Sequence, residues 1–348
     1  MDWNGLRVLV TGHTGFKGSW LSALLIRRGA KVFGLSLAPN TKPSLFEQLG
    51  LENQLDHFTG DVRDPSLVGV RFRNVAPDVV FHLAAQPLVL QSFASPLETW
   101  SSNVMGTAHV LNALRDWKAP CAVVIVTTDK VYSHFEGEHL FREGDSLGGH
   151  DPYSASKACT EMVVESYRQS YFIGGPVRLA TARSGNVIGG GDWAQHRIFP
   201  DLARSRASGK KLGLRNSSAI RPWQHVLDPL AGYILLAERL TLGDASAQTA
   251  FNFGPKAADH RSVIELVETA GLTWPGLWED RSDPIAPRET QRLMLSIDRS
   301  LEVLGWAPRW DFSRTVTETV NWYKDVAAGI DPRVRTEAQI ADFEGGCV

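Results

Sequence analysis

The chain of 348 residues carries 36 basic and 38 acidic side chains, which gives a formal net charge of −2. This balance, without any long run of one sign, argues against nucleic acid and against an anionic membrane surface as partners. The longest apolar runs have the length of strands, and Cys121, Cys159 and Cys347 lack metal-ligand spacing. We therefore expect a cytoplasmic protein without a membrane span, a signal peptide or a metal site.

The first predicted unit is a strand, a glycine turn and a helix. Residues 7–10 are mostly apolar, Gly12, Gly15 and Gly18 follow, and an amphipathic helical pattern continues from Trp20. In such a unit the first glycine permits a tight turn, the second lets the backbone approach a pyrophosphate, and the third lets the helix pack on the strand. The helix N-terminus then directs free N–H groups at the anion. The unit predicts a dinucleotide site, with a plain structural turn as the alternative.

The second predicted strand, residues 31–36, bears on the choice of cofactor. An acid at its end would bind the adenosine ribose of NAD, and an arginine would accommodate the 2′-phosphate of NADP. The strand ends in Ser36 with neither, so NAD is preferred without being fixed by the sequence. Asp61, after a short strand predicted at residues 57–59, is either a partner for the adenine amino group or a cap for the helix that starts at Pro65.

Strand-like and helix-like segments alternate through the first half of the chain. Alternation of this kind predicts an α/β fold, a doubly wound (Rossmann-type) parallel sheet with helices on both faces. A smaller, discontinuous C-terminal substrate domain is expected where glycines and prolines interrupt the pattern. Further strands are predicted at residues 78–83, 122–126, 177–182 and 251–253, and helices at 97–117, 154–171 and 227–240. The predicted boundaries are 1–183 plus about 220–245 for the dinucleotide-binding domain, about 184–219 and 246–330 for the substrate-binding domain, and 336–348 for a frayed tail.

Tyr153 and Lys157 form the most informative pair in the sequence. Positions i and i+4 share one face of a helix, so the two side chains should project side by side. An ammonium beside a phenol favours the phenolate and pulls its pKa down from about 10 toward neutral pH. Tyr153 is thus a candidate base for an alcohol, which becomes a ketone once it also loses a hydride. Thr128, Asp129 and Lys130 follow an apolar run and carry further polar groups.

Several motifs resemble the extended short-chain dehydrogenase/reductase family. They are Gly12-x2-Gly15-x2-Gly18, Leu83-Ala84-Ala85-Gln86, Thr127-Thr128-Asp129 and Tyr153-x3-Lys157. Longer segments resemble the nucleotide-sugar 4,6-dehydratases within that family, namely residues 11–21, 81–89, 103–107, 128–130, 147–158, 185–194 and 221–227. The glycine turn and the Tyr-x3-Lys pair mark only the superfamily, whereas Asp129-Lys130 and the last two segments are more specific. The resemblance extends over about residues 5–240.

The resemblance implies a hydro-lyase that uses NAD and regenerates it. Tyr153 would take the proton of the C4 hydroxyl, Lys157 would hold the nicotinamide ribose, and Thr128 would bind the C4 oxygen. Asp129 would protonate the leaving C6 oxygen, which requires a neutral carboxyl with a pKa raised by burial. The product would be a 4-keto-6-deoxy sugar nucleotide, and the implied substrate is CDP-glucose or a close analogue.

The resemblance also implies which residues contact the two ligands. Cofactor contacts are expected from Gly12, Thr14, Gly15, Phe16, Lys17, Gly18, Asp61, Val62, Leu83, Ala84, Ala85, Gln86, Asn103, Thr127, Tyr153, Lys157 and Ser184. Substrate contacts are expected from Gln86, Asn186, Arg197, Arg215, Arg221 and His225. Arg221 suits a pyrophosphate because its planar fork matches phosphate oxygens, with a domain-closing ion pair as the alternative. For His225, a core hydrogen bond is an equally good interpretation.

Lys130 stands where most of these dehydratases have a glutamate as the C5 base, and lysine is characteristic of the subgroup that acts on CDP-glucose. Burial near NAD and Lys157 would depress its pKa and allow a neutral amine to act as the base. Alternatively, a protonated Lys130 stabilises the enolate while water or Asp129 moves the proton. The sequence leaves both roles open.

Four positions depart from the subgroup pattern. Leu90, Phe93, Ser184 and His196 stand where an arginine, a tyrosine, an alanine and an acid are usual. Leu90 and Phe93 follow the Gln86 loop, near the expected sugar. They therefore bear on the identity of the hexose and the nucleotide, and not on the acid–base machinery.

Two other functions compete with dehydration. A nucleotide-sugar 4-epimerase, or another NAD-dependent oxidoreductase on the same fold, would need Tyr153 and Lys157 but not the Asp129-Lys130 pair. An inactive dinucleotide-binding scaffold would be expected to have lost the tyrosine or the lysine. The resemblance further implies a homodimer, formed through the helices predicted at residues 97–117 and 154–171.

Overall fold

The computed structural model describes residues 1–133, 139–282 and 292–345, so Cys347 lies outside the described residues. The strands are β1 (Arg7–Thr11), β2 (Lys31–Leu35), β3 (Val79–His82), β4 (Cys121–Val126), β5 (Leu140–Phe141), β6 (Val177–Ser184), β7 (Val187–Ile188), β8 (Leu212–Leu214), β9 (Ile220–Arg221), β10 (Gln224–His225), β11 (Ala250–Phe253), β12 (Arg261–Ser262), β13 (Trp278–Asp280) and β14 (Met294–Leu295). The α-helices are α1 (Phe16–Arg27), α2 (Leu45–Gln48), α3 (Pro65–Val75), α4 (Val89–Ala94), α5 (Pro96–Trp100), α6 (Gly106–Leu114), α7 (Pro152–Tyr167), α8 (Ile198–Ser208), α9 (Leu227–Thr241), α10 (Val263–Thr273), α11 (Phe312–Ala327) and α12 (Pro332–Gly345).

A six-stranded parallel sheet in the order β11-β6-β4-β3-β1-β2 organises the chain, which confirms the predicted doubly wound fold. Successive side chains of a strand point to opposite faces, so the sheet separates two apolar cores. Val8 and Val10 join one core with Trp20 of α1, and Leu9 joins the other with Phe72 of α3. Every residue of β4 is buried, as expected of a parallel strand covered on both faces.

Two predicted elements differ from those observed. The helix predicted at residues 97–117 is α5 and α6 joined by a π-helical turn, Ser101–Met105. The strand predicted at residues 57–59 is wrong, because that segment makes only isolated bridges to β2 and its end, Phe33↔Asp56 and Ser36↔Thr59. A strand needs a continuous ladder, and the segment leaves the sheet edge after these contacts.

The second lobe surrounds the carboxyl end of the sheet with short strands and helices. Helix α11 packs against α8 and α10, and the two-stranded pairs β13–β8 and β12–β9 lie beside them. The predicted assignment of residues 246–330 to this lobe is wrong for β11, which forms the outer strand of the central sheet beside β6. No helix in the described part of the chain is long and apolar enough to cross a membrane.

The C-terminal segment is a helix and not a frayed tail. Ile340 and Phe343 of α12 are buried, and the Thr336 hydroxyl accepts a hydrogen bond from Trp322 Nε1 at 2.9 Å. Glu344 pairs with Arg27 and Arg28 of α1. The polar composition that suggested fraying belongs to the solvent face of an amphipathic helix, and residues 346–348 lie outside the described part.

Candidate active site

The glycine turn after β1 has the geometry that a dinucleotide site requires. Gly12 has φ +74°, and a Cβ there would lie 2.7 Å from the backbone N of Ala84. A Cβ on Gly18 would lie 2.1 Å from the Gly12 carbonyl oxygen, so the close packing of α1 on the turn needs a glycine. A Cβ on Gly15 would meet only the Gly12 oxygen, at 3.4 Å, which leaves this part of the turn open to a ligand.

The turn also contacts the end of β2 and the loop after it. Thr14 Oγ1 donates to the Leu37 carbonyl at 2.9 Å and lies 2.8 Å from Ser36 Oγ. Asp61, predicted to face the adenine, is bound by the Arg63 guanidinium, whose hydrogen bonds lower the pKa of the carboxyl. The cap of α3 is Asp64, so the alternative role of Asp61 as that cap is wrong. The adenine contact stays a prediction.

The loop after β3 is tied to the π-helical turn by Asn103. Its side-chain oxygen accepts from the Gln86 N–H at 2.8 Å, and its amide nitrogen donates to the Gln86 carbonyl at 3.1 Å and to Ser156 Oγ at 2.9 Å. The Gln86 side chain bonds Thr99 and the N–H of Leu88. Both residues therefore fix the loop that carries Leu83, Ala84 and Ala85. Val62 is buried against Gly106 at the start of α6, and Phe16 lies half-buried beside Gly189.

Tyr153 and Lys157 lie side by side in the first two turns of α7, both buried. Lys157 Nζ donates to the Val126 carbonyl at the end of β4, at 3.1 Å, and burial lowers the pKa of this lysine to about 8. The pKa of Tyr153 was expected to fall, but burial raises it to about 12. Hydrogen bonding to Thr128 lowers it in part, and the nearby carboxylates raise it further. The expected lowering is therefore wrong for this structure, because loss of hydration outweighs the favourable contacts.

Residues 127–132, which we call the catalytic turn, bring an acid next to this tyrosine. Thr128 Oγ1 donates to Asp129 Oδ1 at 3.0 Å, and it accepts a hydrogen bond from the Lys130 N–H at 3.4 Å. Asp129 is 2 % exposed, and its Oδ2 has no hydrogen-bond partner among the described residues. Burial raises the pKa of Asp129, as predicted, although Lys130 and Arg221 oppose the rise. Lys130 itself is half-buried at the edge of the site.

Lys17 reaches from α1 toward the same interior. Its Nζ donates to Ser184 Oγ at 3.0 Å, and burial together with Arg197 and Lys157 lowers its pKa to about 7. Tyr233 of α9 donates to the same Ser184 hydroxyl at 2.7 Å. Sequence reasoning missed Tyr233, because nothing in the helical pattern of α9 distinguishes an inward tyrosine from ordinary core.

Four of the predicted substrate residues, Asn186, Arg197, Arg215 and Arg221, lie in the segment between β6 and β10. Arg197 Nη1 pairs with Asp192 at 2.9 Å, and its charge acts on both Tyr153 and Lys17. Arg221 is 4 % exposed, with Asp129 within range of its charge. Arg215 is exposed and donates to the His196 carbonyl at 2.8 Å. Asn186 lies half-buried just beyond β6.

His225 is not part of this arrangement. It is fully buried, with its ring centroid 5.9 Å from Trp20 and 4.6 Å from Trp310, and burial lowers its pKa to about 3. Its prediction as a substrate contact is wrong, and the alternative of a core histidine is correct. Leu90 and Phe93 lie on α4 with 37 % and 47 % of their surface exposed, so they remain available to a ligand.

The site thus combines the buried Tyr153, the carboxyl of Asp129 with its raised pKa, and Lys17, Lys130 and Lys157, together with a glycine turn suited to a pyrophosphate. In the described ranges, no cluster of three or more His, Cys, Asp or Glu is arranged to hold a metal ion. The groups present can move protons to and from an alcohol and its neighbours. The unpartnered oxygen of Asp129 fits a ligand hydroxyl or ether oxygen.

Comparison with known proteins places this site in a family. The family described as GDP-mannose 4,6 dehydratase matches residues 9–319. CDP-glucose 4,6-dehydratase of Salmonella typhimurium is 42 % identical over 351 residues, covering 98 % of this chain and 97 % of the relative.

Solved structures agree on the fold. UDP-glucose 4-epimerase of Thermus thermophilus in complex with NAD has a TM-score of 0.77 and 27 % identity, over 92 % of this chain and 99 % of that one. A dTDP-glucose 4,6-dehydratase of Bacillus anthracis in complex with NAD has a TM-score of 0.78 and 22 % identity, over 92 % and 97 % of the two chains.

Proposed function

Because the chain belongs to the GDP-mannose 4,6-dehydratase family, within the extended short-chain dehydrogenases/reductases, we propose that it is an NAD-dependent hydro-lyase that converts CDP-glucose to the CDP-4-keto-6-deoxy sugar. The 42 % identity to CDP-glucose 4,6-dehydratase over nearly the whole chain supports the reaction most strongly. The structural observation that carries it is the carboxyl of Asp129, buried beside Tyr153 with an Oδ2 that has no hydrogen-bond partner among the described residues and with a pKa raised by burial. A 4-epimerase has no need of such an acid.

The residues of the glycine turn fit NAD. An open turn at Gly15, a half-buried ammonium at Lys17 bonded to a neutral hydroxyl, and free helix N–H groups suit a pyrophosphate. When bound, NAD would supply the hydride acceptor for C4 and, in its reduced form, the hydride donor for C6. Lys157, placed between the end of β4 and Tyr153, is suited to the nicotinamide ribose.

Tyr153 begins the reaction as the base for the C4 hydroxyl proton. Its high pKa means that the phenolate needs added positive charge, and Arg197, whose charge lowers the pKa of Tyr153, supplies part of it. Thr128, which bonds both Tyr153 and Asp129, is positioned to bind the C4 oxygen. Oxidation at C4 acidifies the C5 proton, because the carbanion is conjugated with the new ketone.

Asp129 completes the elimination by protonating the C6 oxygen as it leaves. Burial raises the pKa of this carboxyl and so favours the protonated form that donates, and its Oδ2 has no competing partner among the described residues. Lys130 lies next to it in the same turn. It either takes the C5 proton as an amine and returns it to C5 once the hydride has reached C6, or it stabilises the enolate as an ammonium while water or Asp129 removes the C5 proton and returns it.

The second lobe would supply the substrate contacts. Arg197, Arg215 and Arg221 offer three guanidinium groups near the open side of the site, and a diphosphate is the group that such forks bind best. We propose that residues 184–219 and most of 255–330 form this substrate-binding lobe. Leu90 and Phe93 on α4 would face the sugar side.

We further propose a homodimer. Leu97 of α5, Met105 of the π-helical turn and Met162 of α7 are 82 %, 50 % and 56 % exposed, and α5 and the turn pack against α7. Apolar side chains on two adjacent helices favour pairing with the same helices of a second copy. Met162→Glu should give monomers in native mass spectrometry. A wild-type chain that is monomeric at micromolar concentration would contradict the proposal.

A cytoplasmic location is the last part of the proposal. Cys121 and Cys159 are free thiols, and nucleotide sugars and NAD are cytoplasmic metabolites. Fractionation of cells that express the protein would test it.

The decisive experiment is to incubate the purified protein with NAD and CDP-glucose. A product that has lost one water and absorbs in alkali as a 4-ketosugar is expected. A product of unchanged mass with inverted C4 would indicate the epimerase instead. Parallel reactions with dTDP-glucose, UDP-glucose and GDP-mannose test the nucleotide, and activity on one of these alone would overturn the CDP-glucose assignment.

A further inference from the structure

A buried ion pair lies directly behind the catalytic turn. Glu161 Oε2 of α7 and Arg183 Nη2 of β6 are 2.9 Å apart, and each side chain is only 4 % exposed. Removing two charges from water is costly, and well-packed apolar residues often stabilise a core as well as such a pair does. Its presence beside the site therefore needs an explanation other than stability.

Glu161 binds the first residue of the catalytic turn. Its Oε1 accepts a hydrogen bond from Thr127 Oγ1, and its Oε2 accepts from Thr181 Oγ1 at 2.8 Å in addition to Arg183. These bonds and the Arg183 charge lower the pKa of Glu161 although burial opposes them. A charged carboxylate is thus attached to the residue that precedes Thr128.

Arg183 binds the last residue of the same turn. Its Nη1 donates to the Tyr132 hydroxyl at 3.0 Å and to the Glu143 carbonyl at 3.2 Å. The Tyr132 hydroxyl in turn donates to Asn252 Oδ1 at 2.6 Å, on β11. One ion pair therefore holds both ends of the segment that carries Thr128, Asp129 and Lys130.

Glu161 also acts on the helix that carries the base. It follows Lys157 by four residues on α7, so the two side chains share a helix face. The titratable groups that interact with Lys157 are Glu161 on its own helix, Lys17 on α1 and His82 on β3, whose pKa burial lowers to about 3. Glu161 is the one that raises the pKa of Lys157 against the effect of burial.

We propose that Glu161 is a positioning residue for the reaction: with Arg183 it clamps the catalytic turn against α7, and it holds the charge of the Lys157 ammonium. It touches neither sugar nor cofactor and acts through Thr127, Tyr132 and Lys157. The inference rests on the proposed dehydratase function for its kinetic readout. The NMR readout below is independent of that function.

The charge is tested with Glu161→Gln, which keeps the shape of the side chain. The matched control is Glu165→Gln, one turn further along α7, where the side chain is 50 % exposed and pairs with Arg168. Glu161→Gln should lower kcat by about tenfold to a hundredfold with little change in KM, as misplaced catalytic groups do. The alkaline limb of the kcat–pH profile should move to lower pH, because Lys157 loses its proton more easily.

The titration of Lys157 can be followed without substrate. NMR of lysine-labelled protein, with the Lys157 signal assigned by a Lys157→Met variant, should show a lower pKa in Glu161→Gln and no change in Glu165→Gln. If wild-type protein lacks dehydratase activity but this shift is present, the proposed function fails and the charge role of Glu161 stands.

The clamp is tested separately with Tyr132→Phe, which removes one hydroxyl and keeps both charges. It should lower kcat severalfold while leaving the Lys157 titration in place, and it serves as the test if Glu161→Gln does not fold. Unchanged kcat and an unchanged pH profile in these variants, with only a lower Tm, would overturn the proposal and leave a purely structural ion pair.

Discussion

The two halves of the site differ in how their charges are held. In the catalytic half, Asp129, Lys157 and Glu161 are almost fully buried, and each is bonded to elements of the central sheet or to α7. In the substrate half, the Arg197 side chain is one-third exposed and forms an ion pair with Asp192. Arg215 is exposed and donates a hydrogen bond to a backbone carbonyl. The second group can exchange partners at little cost, whereas the first cannot.

This difference teaches which part of the protein is pre-organised. In the catalytic half, burial shifts the pKa values before any ligand binds, because desolvation is the largest cause of the shift at Tyr153, Lys157 and Asp129. In the proposed function, recognition would fall to Arg197 and Arg215, which could exchange Asp192 or a backbone carbonyl for a diphosphate, and to the buried Arg221. Variants of the two halves should therefore fail in different kinetic parameters.

Loss of the base should have the largest effect. Tyr153→Phe should lower kcat by about a thousandfold, within the range for general base catalysis, because no other group near the C4 hydroxyl can take its proton. Tyr167→Phe, a half-buried tyrosine on the same helix, is the control. Rates are measured as formation of dehydrated product by mass spectrometry. Activity within tenfold of wild type would show that another group is the base, and the catalytic half would then not be the one described.

Asp129→Asn should follow, with kcat lower by about a hundredfold, because an amide cannot protonate the leaving oxygen. Oxidation at C4 should survive, so reduced nicotinamide should accumulate when substrate is added. Its absorbance in the near ultraviolet measures this accumulation. Asp116→Asn, with its side chain 83 % exposed, is the control. A variant that loses both the oxidation and the elimination would show that Asp129 acts at the first step instead.

The substrate half should respond in KM. Arg215→Met should raise KM by about tenfold to a hundredfold with kcat nearly unchanged, the loss expected for one charge-assisted hydrogen bond. Arg333→Met, on α12 and paired with Glu337, is the control, because it lies outside the segment between β6 and β10 that holds the substrate arginines. Steady-state kinetics with CDP-glucose measure both parameters. A fall in kcat alone would mean that the two halves are not separable in the way described.

The smallest effect concerns stability at acid pH. His225 is neutral when folded, with its pKa lowered to about 3, whereas an unfolded histidine titrates near 6.5. The stability it contributes is present above pH 6.5 and is lost as the pH falls toward 3, by about 2 kcal/mol at pH 5.

His225→Phe should therefore weaken the pH dependence of the unfolding free energy between pH 7.5 and 5, as measured by urea titration, and leave kcat near the wild-type value. His150→Gln, at an exposed position, should not alter that dependence. A large loss of activity in a folded His225→Phe protein would show that this histidine acts as a substrate contact after all.

Features with a local signature were predictable from the sequence. The glycine turn and the Tyr153–Lys157 pair are defined by spacings of three and four residues, and the strands of the sheet by short apolar runs. The raised pKa of Asp129 was expected from the family resemblance, which requires a neutral acid at this position, and burial raises it. The direction for Tyr153 was missed because the lysine was weighed and the burial of the phenol was not.

Features that depend on distant residues were not predictable in this way. Lys17 and Ser184 are 167 residues apart, and the Tyr132–Asn252 bond joins residues 120 apart. No local pattern distinguishes Tyr233 or Arg183 from ordinary core positions. His225 shows the converse, since a polar residue within a family-like segment turned out to pack between two tryptophans.

The π-helical turn at residues 101–105 has a consequence for how the chain can vary. A π turn contains one residue more than an α-helix would use, and each residue advances a helix by about 100°. Here that phase points Asn103 inward to Gln86 and Ser156 while Met105 stays exposed. Deletion of one residue from this half-exposed segment would rotate α6 relative to α5. Either the Asn103 amide would then turn away from Gln86 and Ser156, or Met105 would turn away from solvent. Among natural variants, substitutions should be frequent there and changes of length absent.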